Sequence, residues 1–164
     1  MSIVVDTFRR GVWGSLAAAV LIMAVLAMAG SYGLSHPVAL SIMSILAAIA
    51  VYVYVNFRKA LGERWFDILG PPVISLAAVG VSLLWIGRWE GAVAIAVAYL
   101  GEPLMGYFIY KRLREISGVF ALLFLVSAAA YAYTLPLVLW GLWAVPAAAN
   151  LAKLVSLIYF SIWR

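Results

Sequence analysis

The chain has 164 residues, of which 68% are hydrophobic and only 10% charged. A soluble domain of this size leaves much of its surface in water and cannot hide so many apolar side chains, so the composition is that of a multi-pass membrane protein with no room for a second, soluble domain. The net charge of +5 does not point to nucleic acid, because the bases stand at the ends of apolar runs, where membrane topology alone puts them.

The side-chain inventory removes further classes. Cysteine is absent, which excludes disulfides, thiolate metal sites and thiol catalysis. A single histidine, His36, argues against a histidine-built metal or haem site. No cofactor is expected. Glutamine is absent and asparagine occurs only as Asn56 and Asn150; such poverty in thermolabile side chains hints at a thermophilic source, although membrane proteins are poor in amides in any case.

Residues 1–10 are polar and carry Arg9 and Arg10. The first apolar run, 12–31, lies between Trp13 and Tyr32. Ala27-Met28-Ala29 resembles a signal-peptide cleavage site, but the run is longer than a typical signal core, so a membrane helix is the better reading. An uncharged turn leads to a second run, 37–57, and a short polar loop follows with Arg58, Lys59, Glu63, Arg64 and Asp67 around Trp65-Phe66. The third run, 68–87, has Pro71-Pro72 in its expected first turn, where a missing N–H does little harm. Gly87 to Glu90 forms a tight turn. The fourth run, 91–110, contains Glu102 between Gly101 and Pro103 and ends near Lys111, Arg112 and Arg114. The fifth, 117–135, leads into an uncharged turn over Pro136 to Gly141, and the sixth, 142–163, contains Asn150 and Lys153 and closes on Arg164.

Runs of about 20 apolar residues span a bilayer, so the fold expected is a six-helix transmembrane bundle, all-α, built as three hairpins in series. With the N-terminus cytoplasmic, Arg9, Arg10, Arg58, Lys59, Arg64, Lys111, Arg112, Arg114 and Arg164 fall inside and only Arg88 outside. The positive-inside rule then supports six helices, both termini cytoplasmic, in the plasma membrane. The even-numbered helices end alike, in aromatics followed by a base, which an internal repeat or interfacial anchoring alone would produce.

Glu102 lies ten residues before Arg112, and Lys153 eleven before Arg164. At ~1.5 Å per residue both charges sit about 15–16 Å from the same interface, near the midplane. Alone, either would cost on the order of 3 kcal/mol there. Ala94, Ala98, Glu102 and Gly106 recur on one face, and Ala149 and Lys153 share another; small residues at such spacing let membrane helices approach. Pro103 frees the carbonyl of Tyr99 one turn back, which is tolerated where a partner, a polar group or water reaches it. The expected intramembrane polar site is therefore Glu102, Lys153 and Asn150, with a helix break at Gly101 and Pro103. It reads as a proton- or ion-coupled or charged-substrate site, as a buried ion pair fixing helix register, or as Lys153 snorkelling along its stem while Glu102 stays protonated. His36 reads as a wetted loop residue, Asn56 as a cap or helix bridge, and Trp65-Phe66 as interfacial anchors. No nucleophile elbow, phosphate loop or acidic metal cluster occurs, so no catalytic set is expected.

Asn56-Phe57, followed by bases and then Trp65-Phe66, resembles the Asn-Phe…Arg-x-Trp-x-Phe ending of the GtrA-like family. The likeness runs mainly over residues 8–66, with Gly33 and Pro37 at the turn, and echoes faintly in 143–164. It implies a small membrane protein concerned with lipid-linked sugars. The spacing from Asn to Trp is longer here, and the family typically has four helices. In size and topology alone, six helices in so short a chain are similar to the substrate-binding membrane component of energy-coupling vitamin transporters. The leading expectation is a small transport or channel-type protein that oligomerises or joins partner membrane subunits. The alternative is a non-catalytic anchor or scaffold subunit in lipid-linked sugar handling, a transporter or a respiratory assembly.

Overall fold

A computed structural model describes residues 2–163, with side chains from Val5 onward; Arg164 lies outside the described residues. Among the described residues, seven α-helices follow one another: α1 (Ser2–Tyr32), α2 (Pro37–Leu61), α3 (Arg64–Trp85), α4 (Glu90–Tyr99), α5 (Glu102–Arg114), α6 (Gly118–Thr134) and α7 (Ala144–Ile162). A 3-10 segment, Leu135–Trp140, continues α6. By length and apolar content they make six candidate membrane spans: Val5–Tyr32, Pro37–Leu61, Arg64–Trp85, Glu90–Arg114, Gly118–Trp140 and Ala144–Ile162.

Every span turns large apolar side chains outward, among them Val20, Ile45, Val79, Val97, Val126 and Val155. In water this surface would drive aggregation; in hydrocarbon it is the expected exterior. The spans pack in chain order around a ring. α1 lies on α2, α3 on α4, α5 on α6 and α6 on α7; α2 meets α3 more sparsely, and α7 returns to α1 to close the circuit. Three helical hairpins are visible in this order: α1–α2, α3–α4 and α6–α7.

Several ends and local roles differ from the sequence expectation. α1 starts at Ser2 rather than near residue 12, because nothing in 2–11 breaks a helix, and Phe8 packs edge-on against Phe57 at 5.3 Å between ring centres. The polar loop after the second run shrinks to Gly62-Glu63. Gly62 takes φ 63°, a left-handed cap, and donates its N–H to the Arg58 carbonyl at 3.2 Å. Since α3 already begins at Arg64, Pro71 and Pro72 lie inside the helix and not in its first turn. The carbonyl that Pro71 leaves without its helical donor is that of Asp67, and the Tyr54 hydroxyl donates to it at 3.2 Å. A partner helix thus repairs the defect. The turn expected over Pro136 to Gly141 is instead helical to Trp140 and capped by Gly141.

Two single-residue readings also change, and a third residue gains a local role. Asn56 neither caps nor bridges helices, since its amide donates to the Tyr52 carbonyl one turn back, at 2.8 Å. Phe66 is 1% exposed and belongs to the core, stacked on Tyr54 at 5.7 Å; only Trp65 of that pair faces outward. His36 caps α2, its Nδ1 accepting from the Val38 N–H at 3.3 Å.

A close backbone approach joins α3 to α4. A Cβ placed on Gly80 would stand 2.7 Å from the Gly91 carbonyl oxygen, and one on Gly91 would stand 2.8 Å from the Leu84 nitrogen. Two glycines facing each other bring these helices together as small residues do in membranes generally. Gly91→Leu should therefore lower stability by about 1–3 kcal/mol, read as a shifted unfolding midpoint in mixed micelles, whereas Gly118→Ala, with open space around it, should change it by less than about 0.5 kcal/mol.

Candidate intramembrane site

The fourth span is not one regular helix. α4 ends at Tyr99, and the Leu100 and Gly101 N–H groups bond three residues back, to Val97 and Ala98, at 3.1 and 3.0 Å. Bonds of this length of reach tighten the chain into a 3-10 turn. Pro103 supplies no N–H of its own, so the regular ladder cannot run through this point. The helix resumes as α5 with Glu102 as its first residue, where an acid meets the positive end of the helix dipole.

Opposite stands Lys153 of α7, only 6% exposed. Its Nζ forms an ion pair with Glu102 Oε1. Lys153 also lies 5.8 Å from the centre of the Tyr131 ring, a cation–π distance. Tyr131 of α6 meets Tyr99 edge-to-face at 5.4 Å. The other carboxylate oxygen, Glu102 Oε2, is buried and accepts no hydrogen bond from the protein.

Asn150 stands one turn from Lys153 but turns elsewhere. It is fully buried and donates through Nδ2 to the Ala19 carbonyl of α1 at 2.8 Å. The structure therefore brings Glu102 and Lys153 together and gives Asn150 to the seam between the first and last spans. Tyr99 and Tyr131 complete the site. Tyr99 could have been found in the sequence, because it lies three residues before Glu102 on the same helical face; Tyr131 carries no such signal.

A cavity of about 260 Å³ runs through the ring beside the pair. Glu102, Lys153, Tyr99 and Tyr131 border it, while most of its wall is alanine, valine, leucine and isoleucine. It reaches Leu34 and Leu139 at one end of the bundle and Phe57 and Phe66 towards the other. Beyond those rings, at the end richest in bases, Lys111 pairs with Glu63 at 2.7 Å and Arg58 with Asp67 at 3.3 Å. Among the described residues, no three histidine, aspartate or glutamate side chains gather as metal ligands would. No protein-family model, no curated protein and no solved structure matches the chain.

Removing either partner of a buried ion pair leaves the other uncompensated, at a cost of about 3–5 kcal/mol, and removing both relieves most of that cost. Glu102→Gln and Lys153→Met should each destabilise the protein, and the double variant should lose clearly less than the two losses added. A reversible unfolding cycle in detergent measures this; strict additivity would remove the pair as a coupled unit. Asn150→Leu should cost about 0.6–1.7 kcal/mol in the same assay, the range for an interhelical hydrogen bond in a membrane protein.

Proposed function

We propose that the protein is a small transporter or channel-type protein of the plasma membrane, with Glu102 as its protonatable group and both termini cytoplasmic. The observation that carries this reading is an ion pair at mid-span on the wall of a central cavity. A carboxylate and an ammonium in hydrocarbon are costly, and they are found chiefly where ions, protons or polar solutes must be met. The orientation rests on the bases, nearly all of which cluster at one end.

The chemistry is as follows. Ionised, Glu102 holds Lys153 and thereby couples the fourth span to the sixth. A proton arriving at Glu102 neutralises the carboxylate and weakens the attachment. Because the 3-10 turn at Leu100-Gly101 and the missing Pro103 N–H interrupt the helix just there, α5 can tilt relative to α4 at small cost. α5 also carries Ile109 and Leu113, which pack in the same buried cluster as Phe57 and Phe66. Loosening of α5 would part that aromatic layer and extend the cavity to the basic end. Alternating access in this scheme is a local rearrangement of one half-span.

Reconstitution tests it directly. Liposomes containing the protein and a trapped pH-sensitive dye should admit protons faster than protein-free liposomes under an imposed pH gradient, and Glu102→Gln should reduce the rate to the protein-free level while the variant stays folded and monodisperse. Wild-type flux no greater than that of empty liposomes, together with recovery of the native protein in a complex with a glycosyltransferase, an ATPase module or a respiratory enzyme, would favour an anchor or scaffold subunit instead.

A further inference from the structure

The cavity and the charged pair on its wall together describe a ligand, a point that rests on the same site as the transport reading but concerns binding alone. The walls are overwhelmingly apolar, so the body of the ligand is hydrocarbon-like. Its size follows from comparison: an apolar cavity of about 150 Å³ holds one benzene molecule. The 260 Å³ here would on that scale accept a molecule of about ten heavy atoms, for example two fused rings.

The polar requirement is narrower. Glu102 Oε2 is buried and accepts no hydrogen bond from the protein, and an unmet acceptor calls for a donor. An ionised carboxylate is acceptor-only, so a group that only accepts hydrogen bonds gains nothing there. Charge narrows the choice again. Glu102 and Lys153 already neutralise each other. An ammonium ligand would leave one surplus positive charge in low dielectric, and a carboxylate ligand one surplus negative charge; both are penalised. A hydroxyl supplies the donor without charge.

We propose that the cavity binds a neutral lipophilic molecule bearing one hydroxyl, a phenol or a short apolar alcohol, whose O–H donates to Glu102 Oε2 while its body lies against the alanine- and valine-lined wall. Such a molecule reaches the site through the hydrocarbon layer as readily as from water. The sparse seam between α2 and α3 is the side of the ring where packing opposes lateral entry least.

Three probes of one shape test this: 2-naphthol, 2-methoxynaphthalene and naphthalene, in equilibrium dialysis against the protein in nanodiscs, with empty nanodiscs subtracted. The wild type should bind 2-naphthol saturably and about tenfold more tightly than 2-methoxynaphthalene, the discrimination expected of one hydrogen bond to a charged group. In Glu102→Gln the amide can keep one oxygen for Lys153 and present an NH2 in place of Oε2; the preference for the hydroxyl should vanish while naphthalene binding stays unchanged. Ala77→Phe, which fills the cavity from α3 and leaves the ion pair alone, should abolish binding of all three probes and serves as the deciding variant if Glu102→Gln does not fold. Equal wild-type affinity for 2-naphthol and 2-methoxynaphthalene would overturn the proposal, as would no saturable binding above empty nanodiscs. Discriminating binding without any flux would remove the transport reading alone, and Glu102-dependent flux without hydroxyl discrimination would remove the present one alone.

Discussion

The ion pair between Glu102 and Lys153 is the interaction on which the rest of the bundle depends, because it joins spans that otherwise scarcely touch. Around the ring, span four packs on spans three and five, and span six on spans five and one. Glu102 and Lys153 reach across this gap with long side chains rather than with packed backbone. The consequence is a centre left partly empty. Had these positions been apolar, the hydrophobic effect would offer nothing to hold the two spans at a distance, since lipid tails and leucine are equally acceptable neighbours in hydrocarbon. The pair thus acts as tie and spacer at once, and the cavity beside it is the space it maintains.

A second constraint runs through the whole chain: with no water in the hydrocarbon layer, every interruption of a helix must be answered from a neighbour. Two of the irregular spans show contrasting answers. At Pro71 the exposed carbonyl of Asp67 is met by the Tyr54 hydroxyl, and α3 continues as one helix. At Pro103 the ladder tightens into a 3-10 turn and the chain restarts as α5. The first proline is absorbed into a rigid hairpin, whereas the second leaves a joint directly beside a charge. The same residue type therefore serves opposite mechanical ends, according to whether a donor stands nearby.

How much of this was legible in the sequence follows from which quantities one dimension contains. Depth is such a quantity: counting from Glu102 to Arg112 and from Lys153 to Arg164 puts both charges at one level, and their pairing was an expectation on that ground. Rotation around the ring is not. Nothing in the spacing of Asn150 tells whether it faces α5 or α1, so its bond to the Ala19 carbonyl was hidden. The core position of Phe66 was missed for a related reason, since an aromatic beside bases reads as an anchor until the neighbouring helix is known to bring Tyr54 against it. Polarity is a poor marker of a helix end in this chain. Asp6, Arg9 and Arg10 end the apolar stretch but not the helix, because α-helical hydrogen bonding continues through polar residues as readily as through apolar ones.

The seam between the first and last spans also has a temporal meaning. A chain emerging from the ribosome delivers α1 before α7, so the carbonyl of Ala19 waits for Asn150 and Glu102 waits for Lys153 until α7 has been inserted. Both partners that α7 supplies lie within one turn of each other, and one of them closes the ring while the other neutralises its interior. Completion of the circuit and creation of the charged site are therefore the same event in biogenesis. Until it occurs, the carboxylate of Glu102 stands in the chain without its Lys153 partner.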